Sequence, residues 1–261
     1  GAPFLAAELC IGETLRERLS RGPMPSLAAG MTVAALARAL AAAHRAGVVH
    51  GDLRPENVML PTQPGQSVVV GQPVLLDTAL HHLRKRAIGL DESLPLGKLA
   101  YLVPEQASGE VGAADAAGDI FALGAILYEC LTGKQAFGDT DIEAVLEKLA
   151  RPPARLELPK EVGAPPGLSV GLDVLLAGAC AREPLARIPS MDDFLSALGQ
   201  AYAGAGLPLP DAAEQVPLDQ ASHRAARRRT IVQKKVVPLR PAASVVDAAV
   251  DAARRIRDSL R

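Results

Sequence analysis

The sequence predicts a mainly helical domain with a few short β-strands. Three observations carry that expectation. Apolar residues recur at helical spacing in successive stretches from Leu15 to Leu198. Strand-like runs are short, bounded by Gly and Pro, and gathered between Val48 and Leu76. The 261-residue chain is 49% hydrophobic but only 3% aromatic and has no Trp, so its core must be aliphatic.

Taken in order, Thr14-Leu15-Arg16-Glu17 is a capping-box pattern that opens a short helix ending near Gly22. A long helix follows, with Met31, Val33, Leu36 and Leu40 on its apolar side and Gly47 as its stop. Val48-Val49, Asn57 to Leu60, Ser67 to Val70 and Val74 to Leu76 read as short strands. Ile120, Leu123, Ile126, Leu127 and Leu131 define a central helix ending at Gly133. Further helices carry Ile142 to Leu149, Leu172 to Ala179, and Phe194 to Leu198, and the Pro-rich stretch from Pro152 to Pro166 reads as a loop. After Tyr202 the composition shifts. We divide the chain into a domain over 1–203, a linker over 204–243 that contains Gly, Pro and a basic run, and a last helix over 244–261.

The net charge of −1 argues against a general nucleic-acid coat. Cys10, Cys130 and Cys180 are odd in number and form no C-x-x-C pair, so they read as buried apolar residues in a reducing, cytoplasmic setting. No membrane span is expected, because Gly30, Thr32 and Arg38 interrupt the Ala-rich stretch. Gly1 in place of an initiator Met points to a piece of a longer protein.

The chemistry concentrates in His50-Gly51-Asp52-Leu53-Arg54-Pro55-Glu56-Asn57, followed by Val74-Leu75-Leu76-Asp77. This brings together a carboxylate, a fixed cation and a carboxamide, with a second carboxylate after an apolar run. Phosphoryl transfer needs such a kit: a base for a hydroxyl, a cation for migrating charge, and oxygen ligands for Mg²⁺. Taken singly, Asp52 or Asn57 could as well brace a turn.

The run resembles the H-R-D-L-K-P-x-N catalytic loop of eukaryotic-type Ser/Thr protein kinases. Asp77 resembles the Asp of their D-F-G, Leu102-Val103-Pro104-Glu105 their A-P-E, and Asp119 the Asp that starts the following helix. Arg187 resembles the late Arg that pairs with the A-P-E Glu. The resemblance covers about residues 1–203 and implies the larger, C-terminal lobe of such a domain, with the small N-terminal lobe absent from the chain. It implies Asp52 as base, Arg54 on the γ-phosphate, Asn57 and Asp77 as Mg²⁺ ligands, and ATP with its adenine near the Glu8 to Cys10 backbone over Met59. The partner implied is a protein substrate, and no nucleic acid is expected. The resemblance also makes His50 a packed scaffold residue, and Glu105–Arg187 and Asp119 structural holds. His44, His81 and His82 lack ligand spacing and read as solvated or loop residues.

Departures from the pattern support a second reading, a catalytically impaired scaffold. Arg54 stands for Lys, and the two are not interchangeable at a tight phosphate site. Gly51 stands for the motif Arg, so control by activation-loop phosphorylation is not expected. Thr78 and Ala79 replace the Phe and Gly of D-F-G. Lys98 replaces a Thr, and either an ion pair with Asp52 or a solvent-facing loop position suits it. No G-x-G-x-x-G loop or V-A-I-K lysine occurs in the chain. The basic run around Arg227-Arg228-Arg229-Thr230 reads as a solvated linker, without interleaved aromatics for base stacking.

Overall fold

The structure is a computed structural model that describes residues 9–62, 69–70, 72–78, 99–107, 115–139, 141–150, 158, 165–209 and 216–217. The elements run β1 (Gly12–Thr14), α1 (Leu15–Leu19), α2 (Ser26–Arg45), a 3-10 turn (Pro55–Asn57), β2 (Val58–Pro61), β3 (Val69–Val70), β4 (Val74–Leu75), α3 (Pro104–Ala107) and α4 (Ala116–Thr132). Then follow α5 (Ile142–Ala150), α6 (Pro166–Ala179), a second 3-10 turn (Pro184–Ala186), α7 (Met191–Gly204) and β5 (Val216–Pro217). The mainly helical class with a small antiparallel sheet, in the order β1-β2-β4, is what the pattern predicts.

The helices form for the reasons read from the sequence. Thr14 and Glu17 complete the capping box at α1 in both directions. Asp115 caps α4 by accepting from the Gly118 amide at 2.8 Å. Gly133 ends that helix at φ 71°, a backbone state that costs glycine nothing. α4 is the centre of the core: Ile120, Leu123, Ile126 and Leu127 are fully buried, and α2 and α6 pack on it. Close packing uses small residues, since a Cβ on Gly124 would lie 2.9 Å from that of Ala179.

Several expectations change. Val48-Val49 is not a strand: the Val48 amide closes the end of α2 on Ala43, and the His50 amide, two residues on, is held by Asp119. Asn57 belongs to the 3-10 turn rather than to β2. β1 is a strand the sequence did not announce, pairing Gly12, Glu13 and Thr14 with Pro61, Leu60 and Met59. Pro166 opens α6 instead of closing a loop. Ser26–Arg45 is long and apolar enough to cross a membrane by length and composition. Its Ala29, Val33, Leu36 and Leu40 are fully buried, as in the core helix of a water-soluble fold. Cys130 and Cys180 are buried, and burial pushes the Cys180 thiol up to about 12 despite the nearby Arg187. Cys10 is only half-buried. The Pro-rich stretch up to residue 164, most of the 204–243 linker and the helix expected over 244–261 lie outside the described residues.

Glu105 and Arg187 pair as expected. Two parallel hydrogen bonds of 2.9 and 2.6 Å join the carboxylate to the guanidinium. Arg187 also donates to the carbonyls of Ala181, Ala117 and Arg182, and it lies 5.0 Å over the Phe121 ring. One buried cation therefore joins α3, the start of α4 and the loop after α6. Arg187→Ala leaves those acceptors unmatched and should cost about 3–5 kcal/mol of stability in denaturant melts. Glu105 is partly exposed and can take water, so Glu105→Gln should cost less.

Candidate active site

The candidate loop hangs on one carboxylate. Asp119, in the first turn of α4 and 1% exposed, accepts the His50 amide on Oδ2 and the Gly51 amide on Oδ1, each at 2.9 Å. Its Oδ2 also meets His44 Nε2 at 2.8 Å. His44 is thus a partner in the loop's anchor, which corrects the solvated reading. Gly51 stands at φ 72°, where a residue with a Cβ bears about 1–2 kcal/mol of backbone strain. Glycine lets the amide reach Asp119 without that cost.

His50 is fully buried and takes the scaffold place expected of it. Its Nε2 meets the Leu76 carbonyl at 3.1 Å, and its Nδ1 accepts from the Asp52 amide at 3.3 Å. The Leu76 amide in turn donates to the Asn57 carbonyl at 2.8 Å. These bonds stitch the loop 50–57 to the end of β4, so Asp77 follows directly from the junction. Asp77 adopts φ 59°, the only non-glycine residue with positive φ among the described residues. Asp tolerates this state better than most, and such strain gathers at functional sites.

Within the loop, Asn57 is 2% exposed, and its Nδ2 donates to the Asp52 carbonyl at 2.7 Å and to Asp52 Oδ2 at 3.2 Å. The amide nitrogen is thereby committed, and the carboxamide oxygen is the end that can meet a cation. Arg54 Nη2 lies 3.3 Å from Asp52 Oδ2. The Arg54 side chain is 7% exposed, and its Nε and Nη1 are buried with no hydrogen-bond partner among the described residues. Asp52, Arg54 and Asn57 are therefore brought together, and Asp77 is tied to them through Leu76.

The other expected site residues are placed less closely. Met59 is 4% exposed in the middle of β2, between Thr14 and Val74. Cys10 precedes β1. Glu8, Ala79, Lys98, His81 and His82 lie outside the described residues, as does the basic run. Among the described residues no three His, Cys, Asp or Glu side chains converge as a closed metal site.

One cluster escaped the sequence reading. Arg16 of α1 donates from Nε to Glu56 Oε1 at 2.8 Å, from Nη1 to Glu129 Oε1 at 2.6 Å and from Nη2 to the Tyr101 hydroxyl at 2.8 Å. The Tyr101 hydroxyl also bonds Glu129 Oε2. The available signal was Glu129 itself, an acid on the buried side of the strongly apolar α4, which demands a cationic partner.

This loop and its anchor have the arrangement expected of a protein kinase domain. The family model for the protein kinase domain matches residues 2–197, and the chain belongs to the eukaryotic-type Ser/Thr protein kinase family. It is similar to the serine/threonine-protein kinase PknL of Mycobacterium tuberculosis, with 34% identity over 92% of this chain and 57% of that protein. The serine/threonine-protein kinase PknB of Mycobacterium leprae is 28% identical over 77% of this chain and 31% of its own length. A probable serine/threonine-protein kinase of Streptomyces coelicolor is 32% identical over 74% of this chain and 27% of its own. The chain thus spans about half, or less, of the curated relatives it matches.

A pH dependence follows from His50. Burial lowers its pKa below the usual 6.5, against the opposing pull of Asp119 and Asp52. A lowered folded value means that folding disfavours the protonated form. The stability tied to neutral His50 is complete above about pH 6.5 and is lost as the pH falls through the depressed folded value. Melts from pH 8 to pH 5 should show a loss at the acid end that His50→Gln reduces.

Proposed function

We infer that the intact parent protein transfers the γ-phosphoryl group of ATP to Ser or Thr hydroxyls of a protein substrate. The described lobe would be the larger, helical half of the kinase domain. The glycine-rich loop and phosphate-binding lysine would be supplied by the parent. The observation that carries this reading is Arg54: a buried guanidinium beside Asp52 whose Nε and Nη1 have no acceptor among the described residues. A buried donor left unpaired costs about 1–3 kcal/mol, and a phosphoryl oxygen is an acceptor of the right charge.

Asp52 orients the substrate hydroxyl and accepts its proton as the bond to the γ-phosphorus forms and the bond from that phosphorus to the bridging oxygen breaks, with ADP leaving. Asn57 holds Asp52 from the side and fixes its carboxylate. Arg54 offers positive charge to the transferring group. The Asn57 carboxamide oxygen and the Asp77 carboxylate are hard oxygen donors, which suit Mg²⁺; that ion supplies charge neutralisation of the phosphates when bound. Catalysis of this kind rests on positioning and electrostatics. The adenine would rest near Glu8 to Cys10 and over Met59, and a cytoplasmic setting belongs to the same reading. The scaffold alternative rests on the sequence departures alone, and nothing among the described residues adds to it.

Phosphorylation of a generic basic protein by the parent, with radiolabelled ATP and Mg²⁺, tests the reading. Asp52→Asn should lower kcat by about 10²–10⁴-fold, the usual worth of a positioned base. Arg54→Met should lower it too, with the melting temperature held within a few degrees. Undiminished transfer in Asp52→Asn would rule out the assigned base.

A further inference from the structure

The Arg16 cluster has no part in the chemistry proposed above, yet it touches the loop that carries it. Arg16 is fixed from below by the α1 capping box, in which the Thr14 amide bonds Glu17 Oε2 at 2.8 Å and the Glu17 amide bonds Thr14 Oγ1 at 3.1 Å. Its guanidinium then serves two carboxylates of different character. Glu129, with a side chain 3% exposed, comes from the core of α4; Glu56, 37% exposed, comes from the 3-10 turn that ends in Asn57. The second oxygen of Glu56 is buried without a partner among the described residues, and Arg16 Nε is the donor that holds this carboxylate. Tyr101, 6% exposed and three residues before Pro104, completes the set with its ring 5.8 Å from the guanidinium carbon. Burial pulls the Arg16 pKa down, but Tyr101, Glu129 and Glu56 outweigh it and leave the value raised, so the cation is permanent.

We propose that Arg16 is a positioning residue for phosphoryl transfer: through Glu56 it sets the Pro55–Asn57 turn, and with it Asn57 and Asp52, against the Leu99–Ala107 segment and α4. The proposal rests on the phosphoryl-transfer reading. Arg16 itself touches no reacting atom. The two arms of its guanidinium are separable. The arm to Glu129 neutralises a buried charge and serves stability. The arm to Glu56 reaches the loop that presents Asp52. A purely structural Arg16 would act through the first arm only.

The test uses the full-length parent and three variants. Glu56→Ala cuts the loop arm and leaves Arg16 with Glu129 and Tyr101. Arg16→Met removes both arms and strands Glu129. Arg16→Met/Glu129→Gln removes both arms but relieves the stranded charge, so it recovers stability and stays folded even where Arg16→Met does not. We expect Glu56→Ala and the double variant to lose about tenfold or more in kcat, with KM for ATP moving less than about threefold, the pattern of an interaction spent on the transition state. We expect faster hydrogen exchange in both at the amides of Asn57, bonded to the Arg54 carbonyl, and Leu76, bonded to the Asn57 carbonyl, and no change at Leu127 inside α4. A double variant that regains both stability and wild-type kcat, with unchanged exchange at Asn57 and Leu76, would show that Arg16 only neutralises Glu129. A wild-type parent without phosphoryl transfer counts against the activity itself, and the exchange rates then decide for or against Arg16 as the holder of the loop.

Discussion

The Asp119 carboxylate is the interaction on which the site depends. A loop that must present polar side chains cannot spend its own amides on a sheet ladder, and buried amides need acceptors. Asp119 supplies them from the first turn of the most deeply buried helix, accepting from His50 and Gly51 at once. The position is favourable, since a negative charge at a helix N-terminus is stabilised by the helix dipole. His44 adds a donor from α2, so three separate elements meet on one carboxylate. The apolar packing of α4 thereby becomes the rigidity of the loop. That is how a core of Leu, Ile and Ala can fix the direction of Asp52.

Two arginines, the buried Arg187 and the half-buried Arg16, repeat the device around this centre. Arg187 joins α3 to the loop after α6 through Glu105, and Arg16 joins α1 to α4 and to the 3-10 turn through Glu129 and Glu56. Each is a delocalised cation that meets several acceptors in fixed directions, which Lys could not do. With 3% aromatic residues and no Trp, the core has few large rings to lock its elements in place. Directional ion pairs between elements supply that specificity here. They also leave Arg54 as the exception: a third arginine, close to Asp52, whose Nε and Nη1 are buried with no hydrogen-bond partner among the described residues. Arg16 and Arg187 spend their donors within the frame, and Arg54 does so, among those residues, only through Nη2 on Asp52.

Most of the helical frame was legible in the sequence because its signals are local. The capping box at Thr14, the apolar period of α4 and the stop at Gly133 each lie within a few residues. The Glu105–Arg187 pair and the Asp119 anchor were legible through family motifs, although the partners are far apart. What stayed hidden depends on long-range pairing without a motif. His44 lies 75 residues from Asp119, and Arg16 lies 113 from Glu129. β1 is three residues long, too short to show an alternation, and exists because β2 lies beside it. Val48-Val49 misled for the opposite reason: two β-branched residues favour a strand, but the Val48 amide closes α2 and the His50 amide just after the pair reaches Asp119. Of the candidate site, the identities of Asp52, Arg54 and Asn57 were readable. Their mutual arrangement was not, since it depends on the left-handed backbone at Gly51 and Asp77 and on the carbonyls of Arg54 and Leu76.

The central claim is that this frame holds Asn57 and Asp77 as neighbouring oxygen ligands beside Asp52. The most direct measurement is paramagnetic broadening of backbone amide signals in the full-length parent on titration with Mn²⁺ and a non-hydrolysable ATP analogue. The account predicts early loss of the Asn57, Asp77 and Thr78 signals, with little change at Leu127, and recovery of those signals in Asp77→Asn. Broadening centred on another face of the domain, or the same broadening in Asp77→Asn, would contradict it.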